Sequence, residues 1–197
     1  MGKRIFDIAL ALLVAPVAVP MTALAALVLA VDLGGNPIYL QERVGLRGRT
    51  FTMYKLRTMR HAKPGQIKPY VISDWKTFVF SPAGERDPRL TRCGEFARKT
   101  SLDELPNLLN VLLGEMSLVG PRPELPEIVA QYPPEYHRRH DVPPGITGLA
   151  QVSGRSDLTY DEIVTYDLAY VDHHPVSADL RILARTLGQA LTGRGAR

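Results

Sequence analysis

The sequence predicts an α+β protein: an N-terminal re-entrant membrane helix-break-helix carrying a small cytoplasmic domain of surface helices and a short β-hairpin or sheet. Three observations predict it. Residues 8–31 read "IALALLVAPVAVPMTALAALVLAV" without a charge, in a chain of 197 residues whose mean hydropathy is only −0.05. Basic residues flank that stretch on both sides. Beyond it, short period-2 and period-3.6 patterns alternate with turns bearing proline and glycine. The division falls at residues 1–36 for the membrane segment and 37–197 for the polar domain.

The apolar stretch has three readings. As a straight helix rising ~1.5 Å per residue it could cross a ~30 Å hydrocarbon core. Lys3 and Arg4 supply the basic start of a signal peptide, but the apolar region of such a peptide runs to only ~7–15 residues. The third reading is a hairpin that enters and leaves by one face. Pro16 and Pro20 each remove a backbone donor near the middle, which predicts a sharp bend. Lys3 and Arg4 on one side and Arg43, Arg47, Arg49, Lys55, Arg57 and Arg60 on the other place both flanks in the cytoplasm by the positive-inside tendency. Asp7, costly at bilayer depth, is expected to pair with Lys3 or Arg4.

After the turn "GGNP", the segment "PIYLQERVGLRGRTFTMYKLRTM" reads as two strands joined by a glycine-bearing loop, because Ile38 and Leu40, then Phe51 and Met53, alternate with polar neighbours. Residues 61–90 carry several prolines and glycines and no period, as a long surface loop would. A short helix is expected over residues 93–99. Leu105, Leu108, Leu109 and Leu112 recur at helical spacing, which predicts a helix over 106–113 closed by Gly114. Ser101 and Glu104 match a capping box in front of it, although Pro106 suits a first-turn position better. "MSLVG" is a strand candidate, and "HRRHDVPPGITGLAQVSGR" reads as basic loop. Thr159 and Glu162 cap a helix running to Val171, and residues 177–191 form the last one.

Composition excludes little by itself. Lys and Arg number 24 against 20 acidic residues, for a net charge of +4, a surplus that favours anionic partners. The single cysteine, Cys93, precludes an intrachain disulfide framework and fits a reducing compartment. The basic residues lack the aromatic interleaving of a nucleic-acid surface, so no nucleic-acid partner is expected.

The stretch "SLDELP" at 101–106 raises the functional question. Adjacent carboxylates repel unless a helix terminus or a cation compensates them, and acidic residues in a first helical turn are commonplace. Two arginines change the balance. Arg98 lies five residues before Asp103, and Arg122 stands between Pro121 and Pro123, which stiffen the backbone that presents it. An arginine fork suits phosphate, and a carboxylate pair suits a hard divalent cation that also takes phosphate oxygens. Together they describe a site for a pyrophosphate–magnesium group. Lys55 and Arg57 on the hairpin could reach phosphate or could form a solvated basic edge. His137 and His140, three apart, lack any further zinc-ligand pattern.

The stretches "KRIFD" at 3–7, "YKLRTM" at 54–59, "SLDELPNLLNVLLGEMSLVGPRP" at 101–123 and "HDVPPGITGLAQVSGR" at 140–155, with "YDLAY" at 166–170 more loosely, resemble the bacterial sugar transferases, or monotopic phosphoglycosyl transferases. The match covers nearly the whole chain in the family's order, except the 61–90 loop. It implies a transferase of the bacterial inner membrane, with its catalytic domain on the cytoplasmic face. The implied reaction moves sugar-1-phosphate from a UDP-sugar to polyprenol (undecaprenyl) phosphate in the phospholipid bilayer and releases UMP, in glycoconjugate or exopolysaccharide assembly. It implies Asp103 as nucleophile, Glu104 working with Mg2+, Arg155 as a nucleotide contact and Asp167 as a family aspartate, which could instead bridge within its own helix. The re-entrant helix is likewise implied. A homo-oligomer is compatible with it. The sequence departs from the family in reading Ala15-Pro16, with a further Pro20, where Ser-Pro is common at the break. A membrane-anchored basic adaptor remains the alternative; it accounts for the charge and the apolar stretch but leaves the acidic pair and the Pro-Arg-Pro segment unexplained.

Overall fold

The computed structural model describes residues 2–63, 65–66, 69–80, 87–154 and 157–192. Helix α1 (Gly2–Leu33) is followed by the hairpin β1 (Ile38–Val44) and β2 (Thr50–Leu56), then α2 (Arg92–Lys99), α3 (Asn107–Leu113), β3 (Ser117–Val119) and α4 (Pro126–Val129). A 3-10 segment over Pro134–Asp141 leads to β4 (Gly145–Thr147), α5 (Leu149–Ser153), α6 (Tyr160–Asp172) and α7 (Val176–Thr192).

The hairpin forms as expected, paired antiparallel from Ile38 opposite Leu56 to Val44 opposite Thr50. Its turn puts Arg47 and Gly48 at positive φ, a conformation cheap for Gly48 and less so for Arg47. Strand β3 confirms the expectation for "MSLVG", but its parallel partner β4 lies where a loop was expected. Strand β4 has only three residues, too few to show the alternation by which a strand is recognised. Helix α6 begins on the expected capping box, with Thr159 accepting from the Glu162 backbone and Glu162 from that of Thr159. Helix α3 ends at Gly114, which takes the left-handed conformation.

Helix α1 corrects one expectation. It continues through Pro16 and Pro20 as a single helix of 32 residues rather than two helices separated by a break. Each proline removes only its own donor, and the surrounding turns hold; Thr22 Oγ1 also donates to the Ala18 carbonyl at 2.7 Å. Its two ends pack against the same domain. Near the start, Ala11 joins a core with Met53, Val111, Leu118 and Tyr170. Toward the other end, Leu29 packs with Leu56 and Ala97. Between them Leu13, Val17, Val19 and Leu24 are more than half exposed.

The residues flanking α1 are fasteners. Arg4 donates to the Val111 and Leu112 carbonyls in the last turn of α3, joining the Gly114 backbone amide as a second donor to Val111. Asp7 lies 3.8 Å from Lys3 as expected. It is also buried in protein, accepting from Ser117 Oγ at 2.8 Å and the Leu118 backbone at 3.3 Å. Lys3 meets Asp179 of α7 at 2.7 Å.

The loop between β2 and α2 is anchored. Its ends meet where Met59 bridges Leu90. Ile72, Trp75, Phe78 and Phe80 pack against a core of Ile128, Tyr132, Tyr136, Tyr160 and Val164. The carbonyls of Phe78 and Trp75 accept from the first amides of α6, Tyr160 at 2.8 Å and Asp161 at 3.1 Å. Aromatic spacing in this segment has no period, so the sequence conceals the burial.

Candidate active site

Asp103 and Glu104 lie in a 3-10 turn, Leu102–Glu104, between α2 and α3. Ser101 enters that turn at φ 58 and its side chain makes no capping bond, so the expected capping box does not form. The turn closes instead through backbone bonds from Glu104 to Ser101 and from Leu105 to Leu102. Leu102 packs onto the Leu29–Leu56–Ala97 cluster and so seats the turn on α1 and β2.

Three cations converge there. Lys55 Nζ and Arg122 Nη2 each contact Glu104 Oε1 at 2.9 Å. Arg98, in the last turn of α2, donates from Nε to Thr58 Oγ1 at 2.9 Å and acts electrostatically on Asp103. Helix α2 reaches this position because Gly94 meets the Thr58 carbonyl; a Cβ there would lie 2.0 Å from that oxygen. Any other residue at 94 would push Arg98 away from the acidic pair.

Arg122 is presented by a segment without regular structure that is nonetheless fixed. Every carbonyl from 121 to 124 is taken by a different donor. Pro121 O accepts from the Gly145 backbone at 2.9 Å and Glu124 O from the Val44 backbone at 2.9 Å. Arg122 O accepts from Arg139 at 3.0 Å and Pro123 O from Arg43 at 3.1 Å. Both flanking prolines are buried while Arg122 is exposed, so the expected stiff platform has a physical basis beyond proline itself. Arg43, Arg139 and Gly94 were missed by sequence reasoning. The first two sit in basic runs that look solvated, and a glycine inside a short helix announces nothing of its neighbours.

The two carboxylates differ in environment. Burial pushes Asp103 up, to about 6, and the Glu104 charge adds to it, against Lys55, Arg98 and Arg122. Burial also pushes Glu104 up, but Arg122 and Lys55 outweigh it and hold that carboxyl well below the usual carboxylate range. The Lys55 ammonium is pushed down by burial and by Arg122, against Glu104. Asp103 makes no hydrogen bond or ion pair among the described residues, and Glu104 keeps Oε2 similarly open. Those oxygens are hard donors suited to a divalent cation. Among the described residues no three His, Cys, Asp or Glu side chains form a metal cluster, so phosphate and water oxygens would complete the shell, as Mg2+ prefers.

The other sequence candidates are placed elsewhere. Arg57 bonds to His61 and to the Ile38 carbonyl at the open end of the hairpin. Asp167 is buried and meets Arg139, not a partner in its own helix, at 2.5 Å. Through Arg139, which also donates to the Arg122 carbonyl, it joins the packing beneath Arg122. Arg155 lies outside the described residues.

The chain matches the family model described as bacterial sugar transferase over residues 1–193. It is 40% identical over 201 residues to the UDP-galactose-lipid carrier transferase of Erwinia amylovora, covering 98% of this chain and 41% of that one. It is 39% identical over 201 residues to the undecaprenyl-phosphate galactose phosphotransferase of Salmonella typhimurium, with the same coverages. The chain therefore spans about two fifths of the length of these relatives. With the sugar transferase EpsL of Bacillus subtilis it shares 37% identity over 98% of this chain and 89% of the other. On the match along its whole length, with the acidic turn and its three cations in place, the chain belongs to the bacterial sugar transferase family.

Proposed function

We propose that the protein is a phosphoglycosyl transferase, moving sugar-1-phosphate from a UDP-sugar to polyprenol phosphate with release of UMP. The carrying observation is the unequal acidic pair: Glu104 is fixed by two cations, while the neighbouring Asp103 carboxylate has no direct partner among the described residues and faces three positive charges. An unengaged carboxylate that is ionised near neutral pH needs no general base to act as a nucleophile. A carboxylate oxygen of Asp103 attacks the β-phosphorus; the bond from that phosphorus to the bridging oxygen breaks, and UMP departs with the electron pair. A phosphate oxygen of the polyprenol phosphate then attacks the same phosphorus, breaks its bond to Asp103 and restores the carboxylate.

The obstacle is an anion approaching a pyrophosphate. Two unit charges 4 Å apart repel by ~4 kcal/mol at an effective dielectric of 20, about a thousandfold in rate. Arg122 and Arg98 offset that repulsion along the phosphates, and Lys55 keeps Glu104 in place. Mg2+, held by Glu104 Oε2 and Asp103, would neutralise phosphate charge when bound. Enzyme given UDP-sugar and Mg2+ without acceptor should release up to one UMP per site and gain a sugar phosphate on the peptide holding Asp103. Adding polyprenol phosphate should discharge it. Turnover without that adduct removes the covalent mechanism.

The reading places both flanks of the continuous helix α1 in the cytoplasm. It is supported by the two ends of α1 packing on one domain, since a helix crossing the bilayer would carry one end away. In a Cys93→Ser background, cysteines at Gly2 and Arg49 should label only after the inner face is opened. Position 49 is preferred to Gly48, whose φ of 74 would strain a side chain. Labelling of Gly2→Cys from outside intact cells would establish a spanning helix.

A further inference from the structure

We propose that Arg139 is a positioning residue for Arg122, fixing from within the core the place where the Arg122 guanidinium meets phosphate. This rests on the reading of Arg122 as a phosphate-binding group.

Arg139 is among the most buried side chains of the protein. Its Nη2 donates to the Arg122 carbonyl at 3.0 Å and to Asp167 Oδ2 at 2.5 Å. Its Nη1 donates to Tyr132 Oη at 2.5 Å and Tyr160 Oη at 2.7 Å. Glu124 Oε2 stands 4.0 Å from Nη1, and its other oxygen takes Arg43 at 3.3 Å. A buried ion pair is weak evidence of stability, since an apolar group of similar volume often serves as well. What an apolar group could not do is hold a carbonyl two residues from Glu124 and four from α4 at a set distance from a helix in the core.

The planar fork matters here. One guanidinium places two donors on Nη2 and two on Nη1 in fixed directions, so the Asp167 carboxylate on α6 and the Arg122 carbonyl are held in one plane. A lysine ammonium in the same pocket retains the charge opposite Asp167 but cannot reproduce those directions. The same fork touches the two tyrosines against which Trp75 packs, with ring centroids 5.6 Å from Tyr132 and 4.9 Å from Tyr160. The anchored loop and the phosphate-facing arginine therefore share one buried hub.

The test is a double-mutant cycle read on the acceptor-free UMP burst, using the full chain in detergent or lipid discs, after circular dichroism has matched each variant to wild type. Arg139→Lys should slow the burst at least about tenfold with Arg122 present, and less than about twofold further in an Arg122→Ala background, because residues acting as a unit are non-additive. A merely structural arginine would reduce the burst by the same factor in both backgrounds, and that result overturns the proposal. Should Arg139→Lys fail to fold, Tyr132→Phe removes one acceptor of the fork while keeping the ring. It should slow the burst about threefold with Arg122 present and leave the Arg122→Ala rate unchanged; equal effects in both backgrounds again overturn it. If Arg122→Ala alone stays within about twofold of wild type, the phosphate reading of Arg122 fails instead, and the inference fails with it.

Discussion

Arg138 and Arg139 are neighbours in the sequence and live in opposite worlds. Arg138 meets Asp172 at 2.5 Å with both side chains more than half exposed. Arg139 meets Asp167 at the same distance with both side chains sealed in the core. A third cluster, Glu104 with Lys55 and Arg122, lies between these extremes, its carboxylate well covered and Arg122 nearly half exposed. Distance alone does not rank them. The solvated pair exchanges one set of water contacts for another, the sealed pair cannot change partners, and the intermediate cluster can pass its cations to an arriving anion. Only the last has the freedom that the proposed turnover requires.

The largest effect should come from the carboxylate that lacks a direct partner in the intermediate cluster. Asp103→Asn should abolish both the sugar-phosphate adduct and turnover, a loss on the order of a thousandfold or more, about 4 kcal/mol in barrier. The variant should unfold like wild type. Substantial remaining turnover would reduce Asp103 to helix-terminus compensation, worth ~0.3–1 kcal/mol of stability.

In the sealed cluster, loss of a carboxylate should act on folding instead. Asp167→Ala leaves a buried guanidinium without its carboxylate and should lower unfolding free energy by ~3–5 kcal/mol in a denaturant titration. A loss below ~1 kcal/mol would mean that water enters that core.

Arg122→Lys comes next. It keeps the charge and loses the fork, and should slow the UMP burst at least about tenfold, ~1.4 kcal/mol. A change within about twofold would exclude a bidentate phosphate contact.

Glu104→Gln sharpens the comparison through pH. On the proposed mechanism Asp103 attacks as the ionised carboxylate, so the wild-type burst should fall as pH drops through about 6. Removing the neighbouring negative charge, which also frees Lys55 and Arg122, favours ionised Asp103 and should move that fall to lower pH. A limb that stays in place would separate the two carboxylates electrostatically.

The smallest effect belongs to the solvated pair. Arg138→Gln should change stability by less than about 0.5 kcal/mol and leave the burst untouched.

The acidic pair, Lys55, Arg98 and Arg122 were legible because each stood in a local pattern: a turn before leucines at helical spacing, a strand, a helix end, an arginine between prolines. The hairpin and the capping box of α6 were legible for the same reason. Arg139 was not, since its partners Tyr132, Tyr160, Asp167 and the Arg122 carbonyl are scattered along the chain and become neighbours only when α6 packs on the segment before β4. Strand β4 was hidden by its brevity. The Ser101 capping box was misread because Ser101 adopts a left-handed conformation that turns its side chain out of capping geometry. Gly94 hid in a helix whose partner, Thr58, lies well back in the chain.

The two-ended docking of α1 has a consequence for dissecting the protein. Cutting the chain after Leu33 would not free an intact polar domain from a tether. It would strip Leu29 from Leu56 and Ala97, Ala11 from Val111 and Leu118, and Asp7 from Ser117. The Val111 and Leu112 carbonyls at the end of α3 would lose the Arg4 guanidinium. Helix α1 is thus a wall of the protein's own interior, and any solvent used to extract the chain must preserve that wall for the remainder to stand.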